Sequence, residues 1–389
     1  MENIKIPIGA SIRVDDVGWF EGADDRHLGR PSRSGLPRRH DPRDIHTLNE
    51  IGRRLGTKIL CNLVIGEWDK KNRLRGVPHF TWDADVPWNA AGVVENHRDF
   101  FEGAFAALEE GDYLTYGYHS LLHSYYGDNG KLVDLKFSYP FVERDECGRT
   151  VRRPIAAEEF ERALELFFQI REDWGFKKPV IAFENPCGCI GTPDTECNLG
   201  FARILHRYGI RAWLWGGWPE LSCVREGITF TRSVALSHDW NSFDLDPDYH
   251  YDCILKERMC SDICGHLTNF IRFQPEKNME YADKWVAYFR RVTSHFGMML
   301  SSDTLAASAQ TIYANFAATD RVDGGYRIDL TTVDAQETEI LGDEFFVSLR
   351  ERKLPSAVAG GTLSVHETRP DHVIYKIKRD GSPIVTLTM

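Results

Sequence analysis

Two short stretches carry residues whose types and spacing could do chemistry: GYHSLLHSYYG at 117–127 and RVDDVG at 13–18. The first sets two imidazoles, His119 and His123, four positions apart. If 119–123 form one helical turn, both rings lie on one face and can converge on a metal ion. The second places adjacent carboxylates, Asp15 and Asp16, where an apolar strand runs into a turn at Gly18. In a regular strand their side chains point to opposite faces, whereas the terminal turn could send both into one cleft. One Asp oxygen and two His nitrogens leave positions open for water and substrate, which Lewis-acid catalysis by zinc or another divalent ion requires. Taken singly, each stretch also fits a plain reading, with packed or surface histidines and turn acids.

The elements around these residues alternate. IKIPIGASIRV reads as a strand delivering Asp15 and Asp16, and the Gly-, Pro- and charge-rich residues after it read as a long loop. DPRDIHTLNEIGRRLG has a helix start in Asp41 and Pro42 and an apolar face in Ile45, Leu48, Ile51 and Leu55. KILCNLVIG follows as a buried strand, which completes a strand, helix, strand unit of parallel-sheet type. The rhythm continues through ENHRDFFEGAFAALEEG and YLTYGYH, AAEEFERALELFFQIREDWG and PVIAFENP, then NLGFARILHRYG and IRAWLWGG. KNMEYADKWVAYFRRVTSHFG leads into MMLSSDTLA. This pattern favours an α/β barrel or distorted barrel over a bundle, and periodicity leaves closure of the sheet open. Beyond about residue 322, GYRIDLTTVD, EFFVSLRER, GTLSVHE, HVIYKIKRD and PIVTLTM are short β-like runs that predict a C-terminal β module. The expected division is 1–305 for the barrel and 306–389 for the junction and module.

In this order, a DD at the first strand end, HSxxH at a later one and a histidine near the last strands resemble the polysaccharide deacetylase family, the NodB-homology or carbohydrate esterase family 4 group. The resemblance covers about residues 8 to 305 and implies a deformed (β/α) barrel with its site at the C-terminal strand ends. It implies Asp16, His119 and His123 as ligands of one divalent ion, zinc in the first instance, and Asp15 as the base that activates water. Late in the chain, His266 in DICGHLTNF is the expected acid and His238 in LSHDWNSFD the competing choice, with Asp262 or Asp244 left open as its orienting group. The family's third motif reads close to F-R-P-P-Y-G, where this chain has FENPCG at 183–188. Phe183, Pro186 and Gly188 fit, but Glu184 stands where an arginine normally supports the base, and Cys187 replaces the tyrosine. That exchange reverses a charge beside the centre, so Glu184 and Cys187 are expected to modulate the site or its substrate.

Flat aromatic side chains can stack on sugar C–H surfaces or supply core burial. Trp213, Trp215 and Trp218 in AWLWGGW, Trp19 after the aspartates, and Tyr125 with Tyr126 after His123 are the pocket candidates. The expected activity is metal-dependent removal of an acyl group, N-acetyl foremost, from a carbohydrate or small acylated substrate. The alternatives are hydrolysis of another non-peptide C–N bond or an O-acetyl ester, a noncatalytic carbohydrate-binding protein that keeps the metal, and a glycosidase. The last ranks lower because adjacent aspartates are poorly suited to flank a glycosidic bond.

The remaining composition sets bounds. A chain of 389 residues, 42% hydrophobic and 27% charged, has ordinary soluble character and can bury a large core without metal or disulfides. Its net charge of -11 disfavours a nonspecific nucleic-acid surface. No apolar run approaches the roughly 20 residues that cross a bilayer, and the start has no signal-like segment, so we expect no membrane partner and a cytoplasmic protein. Nine cysteines are an odd number. Cys187, Cys189 and Cys197 cluster without a complete four-ligand pattern, and free thiols are the favoured reading over a metal or disulfide framework. Oligomeric state is left open.

Overall fold

The structure is a computed structural model. It describes residues 3–23, 33–80, 88–127, 132–134, 141–144, 150–186, 192–216, 222–235, 261–350 and 354–389.

The strands come in chain order as β1 (Ile4–Lys5), β2 (Ile8–Val17), β3 (Ile59–Leu63) and β4 (Leu114–Tyr118). Two short antiparallel pairs follow, β5 (Tyr125–Tyr126) with β6 (Leu132–Asp134) and β7 (Phe141–Arg144) with β8 (Thr150–Pro154). Next are β9 (Val180–Phe183), β10 (Ala212–Gly216), β11 (Cys223–Arg225), β12 (Ile228–Ala235), β13 (Asp262–His266) and β14 (Met298–Leu300).

Seven of these strands, β2, β3, β4, β9, β10, β12 and β13, form one series of parallel pairs, and β14 adds to β2, also in parallel. β10 lies beside β9 on one side and β12 on the other, and β13 lies between β12 and β2, so the pairing path returns on itself. Parallel strands need crossovers, and from β2 to β10 helices supply them: α1 (Pro42–Leu55), α2 (Ala90–Asn96), α3 (Arg98–Glu110), α4 (Ala157–Trp174) and α5 (Glu196–Arg207). α1 shows why these residues turn helical. Asp41 caps it in a reciprocal box with Asp44, Pro42 sits in the first turn, Gly56 ends it at φ 69°, and Ile45, Leu48 and Ile51 are buried. The helix expected around ENHRDFFEGAFAALEEG is two, α2 and α3, broken at His97.

Because the seven strands run the same way, their C-terminal ends lie together. Asp15 and Asp16 end β2, His119 follows β4, Glu184 follows β9 and His266 ends β13.

The C-terminal β runs form β15 (Ala318–Val322), β16 (Gly325–Asp329), β17 (Glu344–Leu349), β18 (Ala357–Ala359), β19 (Gly361–Thr368), β20 (Val373–Arg379) and β21 (Ile384–Thr388). Together with β1 they make two four-stranded sheets around a second core, with Ile328, Phe345, Val347, Ile377, Val385 and Leu387 fully buried. β1 pairs antiparallel with β17, Ile4 opposite Leu349, and Ile4 and Ile6 belong to this second core. The helix Thr304–Phe316, expected as a mere junction, sends Ile312 and Tyr313 into the second core while the Gln310 amide bonds to Pro7 and Phe346 backbone. Among the described residues, no helix is long and apolar enough to cross a membrane.

Candidate metal centre

The site begins with an irregularity in β2. Val14 pairs with Cys61 and Val17 with Leu63, so Asp15 and Asp16 together face the single residue Asn62. This is a β-bulge, and it breaks the alternation that would send neighbouring side chains to opposite faces. Asp16 has φ 61°, a left-handed conformation that Asp tolerates better than most residues, and Gly18 follows at φ 121°. A Cβ on Gly18 would lie 2.6 Å from the Val64 carbonyl oxygen, so glycine is required where the chain leaves the strand. The bulge is how both carboxylates reach His119.

The histidine pair is built differently from the helical turn that its spacing permits. The His119 amide continues the strand by donating to the Leu63 carbonyl at 3.1 Å. Ser120 then takes φ 90°, and its hydroxyl donates to the Leu122 carbonyl at 2.9 Å. This tight turn, not a helix, returns His123 to His119, with ring centroids 5.5 Å apart. Donor atoms of Asp16, His119 and His123 all lie within 4.8 Å of one another. Asp16 Oδ1 and His123 Nδ1 are buried without a hydrogen-bond partner. Burying unsatisfied donors and acceptors costs free energy, and a cation held by one carboxylate and two imidazoles would relieve it. The residues therefore fit a divalent ion.

Asp15 is held from several sides. Its Oδ1 accepts from Asn62 Nδ2 at 2.7 Å, and its Oδ2 lies 3.1 Å from the Cys264 thiol, which donates to it. Gly117 makes the first contact possible. It pairs with Asn62 across β3 and β4, and a Cβ there would overlap the Asn62 amide. Burial alone would push the Asp15 carboxyl up, but Arg13, His119, His266 and the Asn62 hydrogen bond outweigh it and hold the pKa at about 2. Asp15 is thus an anion at neutral pH.

The two histidines shift in opposite directions. Burial pushes His119 down, but Glu184, Asp15 and Asp16 outweigh it and raise the pKa to about 9. Burial lowers His123 to about 4, its attraction to Asp16 being too weak to compensate for burial and the neighbouring imidazoles. His123 is therefore neutral at pH 7, and a cation at His119 would have to compete with a proton.

Sequence reasoning missed Arg13. It is buried, 3.0 Å from Asp262, 3.3 Å from Glu184 and 3.6 Å from Asp15. Burial works against its charge, but Asp15, Cys264, Asp262 and Glu184 outweigh burial and push its pKa above the ordinary value. The signal was legible: an arginine inside an apolar strand, two residues before Asp15 and so on the same face, needs carboxylate partners. Asn62 inside KILCNLVIG is a similar signal.

His266 stands beside the site, its backbone in register with Asp15 across β13 and β2. Asp262, one of the two acids considered for orienting it, instead pairs with Arg13. Of the aromatics, Trp213 is no stacking platform: it is fully buried against Phe183 and Phe230, its indole N–H donating to Asn185. Trp19 is likewise in the core at 1% exposure, and Tyr125 and Tyr126 are buried, with the Tyr125 hydroxyl 2.9 Å from His79 Nδ1. The pocket candidates Trp19, Tyr125 and Trp213 thus present no open face to solvent in this structure. Trp215 lies on β10, but its side chain, like Cys187, Trp218, His238 and Asp244, lies outside the description. Cys61, Cys197, Cys223 and Cys264 are free thiols.

No protein-family model and no curated protein matches the sequence. Solved structures that resemble it include a family 4 carbohydrate esterase from Streptomyces lividans in complex with acetate, 10% identical at a TM-score of 0.33 over 76% of this chain and 92% of that one. A 4-alpha-glucanotransferase from Thermococcus litoralis is 9% identical at a TM-score of 0.36, over 76% of this chain and 39% of that one. An endogalactoceramidase is 11% identical at a TM-score of 0.23, over 98% and 96%. Superpositions this loose carry no functional argument, and the reading of the site rests on its own side chains.

Proposed function

We propose that the protein is a metal-dependent hydrolase that removes an acyl group, N-acetyl foremost, from a carbohydrate, on a deformed (β/α) barrel of the NodB-homology kind. The observation that carries this reading is the convergence of Asp16, His119 and His123, with the Asp16 and His123 atoms otherwise unsatisfied. In the same reading residues 1–305 form the catalytic unit and 306–389 an accessory module, to which the chain lends β1.

Asp16, His119 and His123 would hold the ion. When bound, a divalent ion such as zinc supplies Lewis acidity, lowering the pKa of water and polarising an acyl carbonyl. Asp15, ionised and anchored through both oxygens, would accept the proton of the attacking water. His266, opposite Asp15 on the neighbouring strand, would give a proton to the departing amine or alcohol. Both aspartates lie against one imidazole, His119, which supports deacylation over cleavage between two flanking carboxylates.

The test is acetate release from a panel of acetylated sugars. Turnover should vanish on chelation, return with zinc or another divalent ion, and fall by roughly 100- to 10,000-fold in Asp15→Asn. Sugar binding without turnover of any acyl substrate, or a shortened glycan, would overturn the proposal.

A further inference from the structure

Glu184 occupies a place where its charge is unexpected, and its contacts give it a task. β9 pairs with β4 so that Phe183 stands beside Tyr118, which brings Glu184 level with His119. The Glu184 amide donates to the Tyr118 carbonyl at 3.1 Å. On the other side, His119 Nδ1 lies 3.0 Å from the Glu184 backbone carbonyl, with hydrogen-bond geometry, and 2.6 Å from Oε2 of its carboxylate. The second carboxylate oxygen, Oε1, is 3.3 Å from Arg13 Nη1. Glu184, His119 and Arg13 are 6%, 3% and 4% exposed, so water does little to screen these charges.

The opposite ring nitrogen, His119 Nε2, faces Asp16 Oδ1 at 3.8 Å. A neutral imidazole carries one N–H and one lone pair. In that neutral form Nδ1–H donates to the Glu184 backbone carbonyl with the negative Oε2 alongside, and the lone pair belongs on Nε2, toward Asp16. A carboxylate behind a ligating histidine fixes its tautomer and raises its basicity, and loss of such a partner commonly costs about 10- to 100-fold in metal affinity. Arg13 completes the arrangement. It neutralises part of the carboxylate charge and disfavours a cation in the other donor group, Asp15 with His119 and Glu184, which it borders.

We infer that Glu184 is a positioning residue: it fixes His119 with Nδ1 protonated and Nε2 turned to the metal, and Arg13 holds its carboxylate in place. This rests on the reading of Asp16, His119 and His123 as ligands.

Two measurements on the full chain test it. Zinc alone is titrated against a competing chromophoric chelator, with thermal unfolding as the check on folding. Glu184→Gln should bind zinc roughly 10- to 100-fold more weakly and Asp16→Asn more weakly still, with Glu184→Asp recovering part of the loss. Nitrogen NMR of the zinc-loaded natural sequence, which needs no variant to fold, should show His119 coordinated through Nε2 with a slowly exchanging proton on Nδ1. Coordination through Nδ1, or unchanged affinity in folded Glu184→Gln while Asp16→Asn loses zinc, overturns the inference and leaves the metal centre standing. Unchanged affinity in both folded variants overturns the metal centre itself, and the inference with it.

Discussion

Two buried Arg–carboxylate groups lie at different places in the same molecule, and they are finished to different degrees. At the start of α1, Asp44 accepts from both terminal nitrogens of Arg38 at 2.9 and 2.8 Å, from the Asp41 amide at 3.0 Å and from Asn278 at 2.8 Å. Both of its oxygens are used. At the strand ends, Arg13 is shared among Asp15, Asp262 and Glu184, while Asp16 and His123 next to them keep buried atoms without a hydrogen bond. The difference separates a group that holds a helix in place from one whose unsatisfied atoms a further positive charge would satisfy. Buried ionic clusters are weak evidence of stability in general, so it is the unfinished atoms that point to function.

This contrast can be pressed at three points. The largest effect should come from Arg13→Met, which leaves several buried carboxylates without their cation. Chemical denaturation should register a loss of about 3–5 kcal/mol. Stability equal to the natural sequence would mean the strand-end acids do not depend on Arg13, and the contrast would collapse.

Acid should then reveal the Asp44 carboxylate, whose own oxygens are satisfied. Burial pushes Asp44 up, but His40 and Arg38 outweigh it and hold its pKa at about 2, below the ordinary carboxylate value of 3.8. A carboxyl lowered on folding stabilises above its unfolded pKa and loses that contribution as pH falls through the folded one. The stability gap between the natural sequence and Asp44→Asn should therefore be full at pH 5 and shrink by about 2 kcal/mol on descent toward pH 2. Zinc affinity at neutral pH should be unchanged in this variant, since Asp44 touches none of the ligands.

The smallest effect is expected from Gly117→Ala, where the new methyl overlaps the Asn62 amide. Overpacking of this kind costs about 1–3 kcal/mol. The informative readout is acetate release, which should fall more than stability does because Asn62 no longer aims Asp15. Equal activity would show that Arg13 and Cys264 suffice.

The alternation of strands and helices and the caps of α1 could be read from the chain because those signals are local: Asp41, Pro42 and Gly56 act within a few residues of themselves. The DD and HSxxH stretches were legible as metal-binding types for the same reason. Their geometry was not. A bulge that sets Asp15 and Asp16 against Asn62, and a left-handed Ser120 in place of a helical turn, arise from pairing with strands far away in sequence. Trp19 and Trp213 show the other limit, since an indole beside a site and an indole beneath it have the same sequence. Glu184 was singled out and Arg13 passed over, and only the sheet register and the side-chain distances show that they belong to one cluster.

The pairing of β1 with β17 has a consequence for assembly. Ile4 leaves the ribosome long before Leu349, so the strand made early must stay apolar and unpaired until much of the chain has followed it. Closing so long a loop is slow, and an exposed strand invites other partners in the meantime. Chains halted before β17 should therefore be the ones that chaperones retain and that aggregate first.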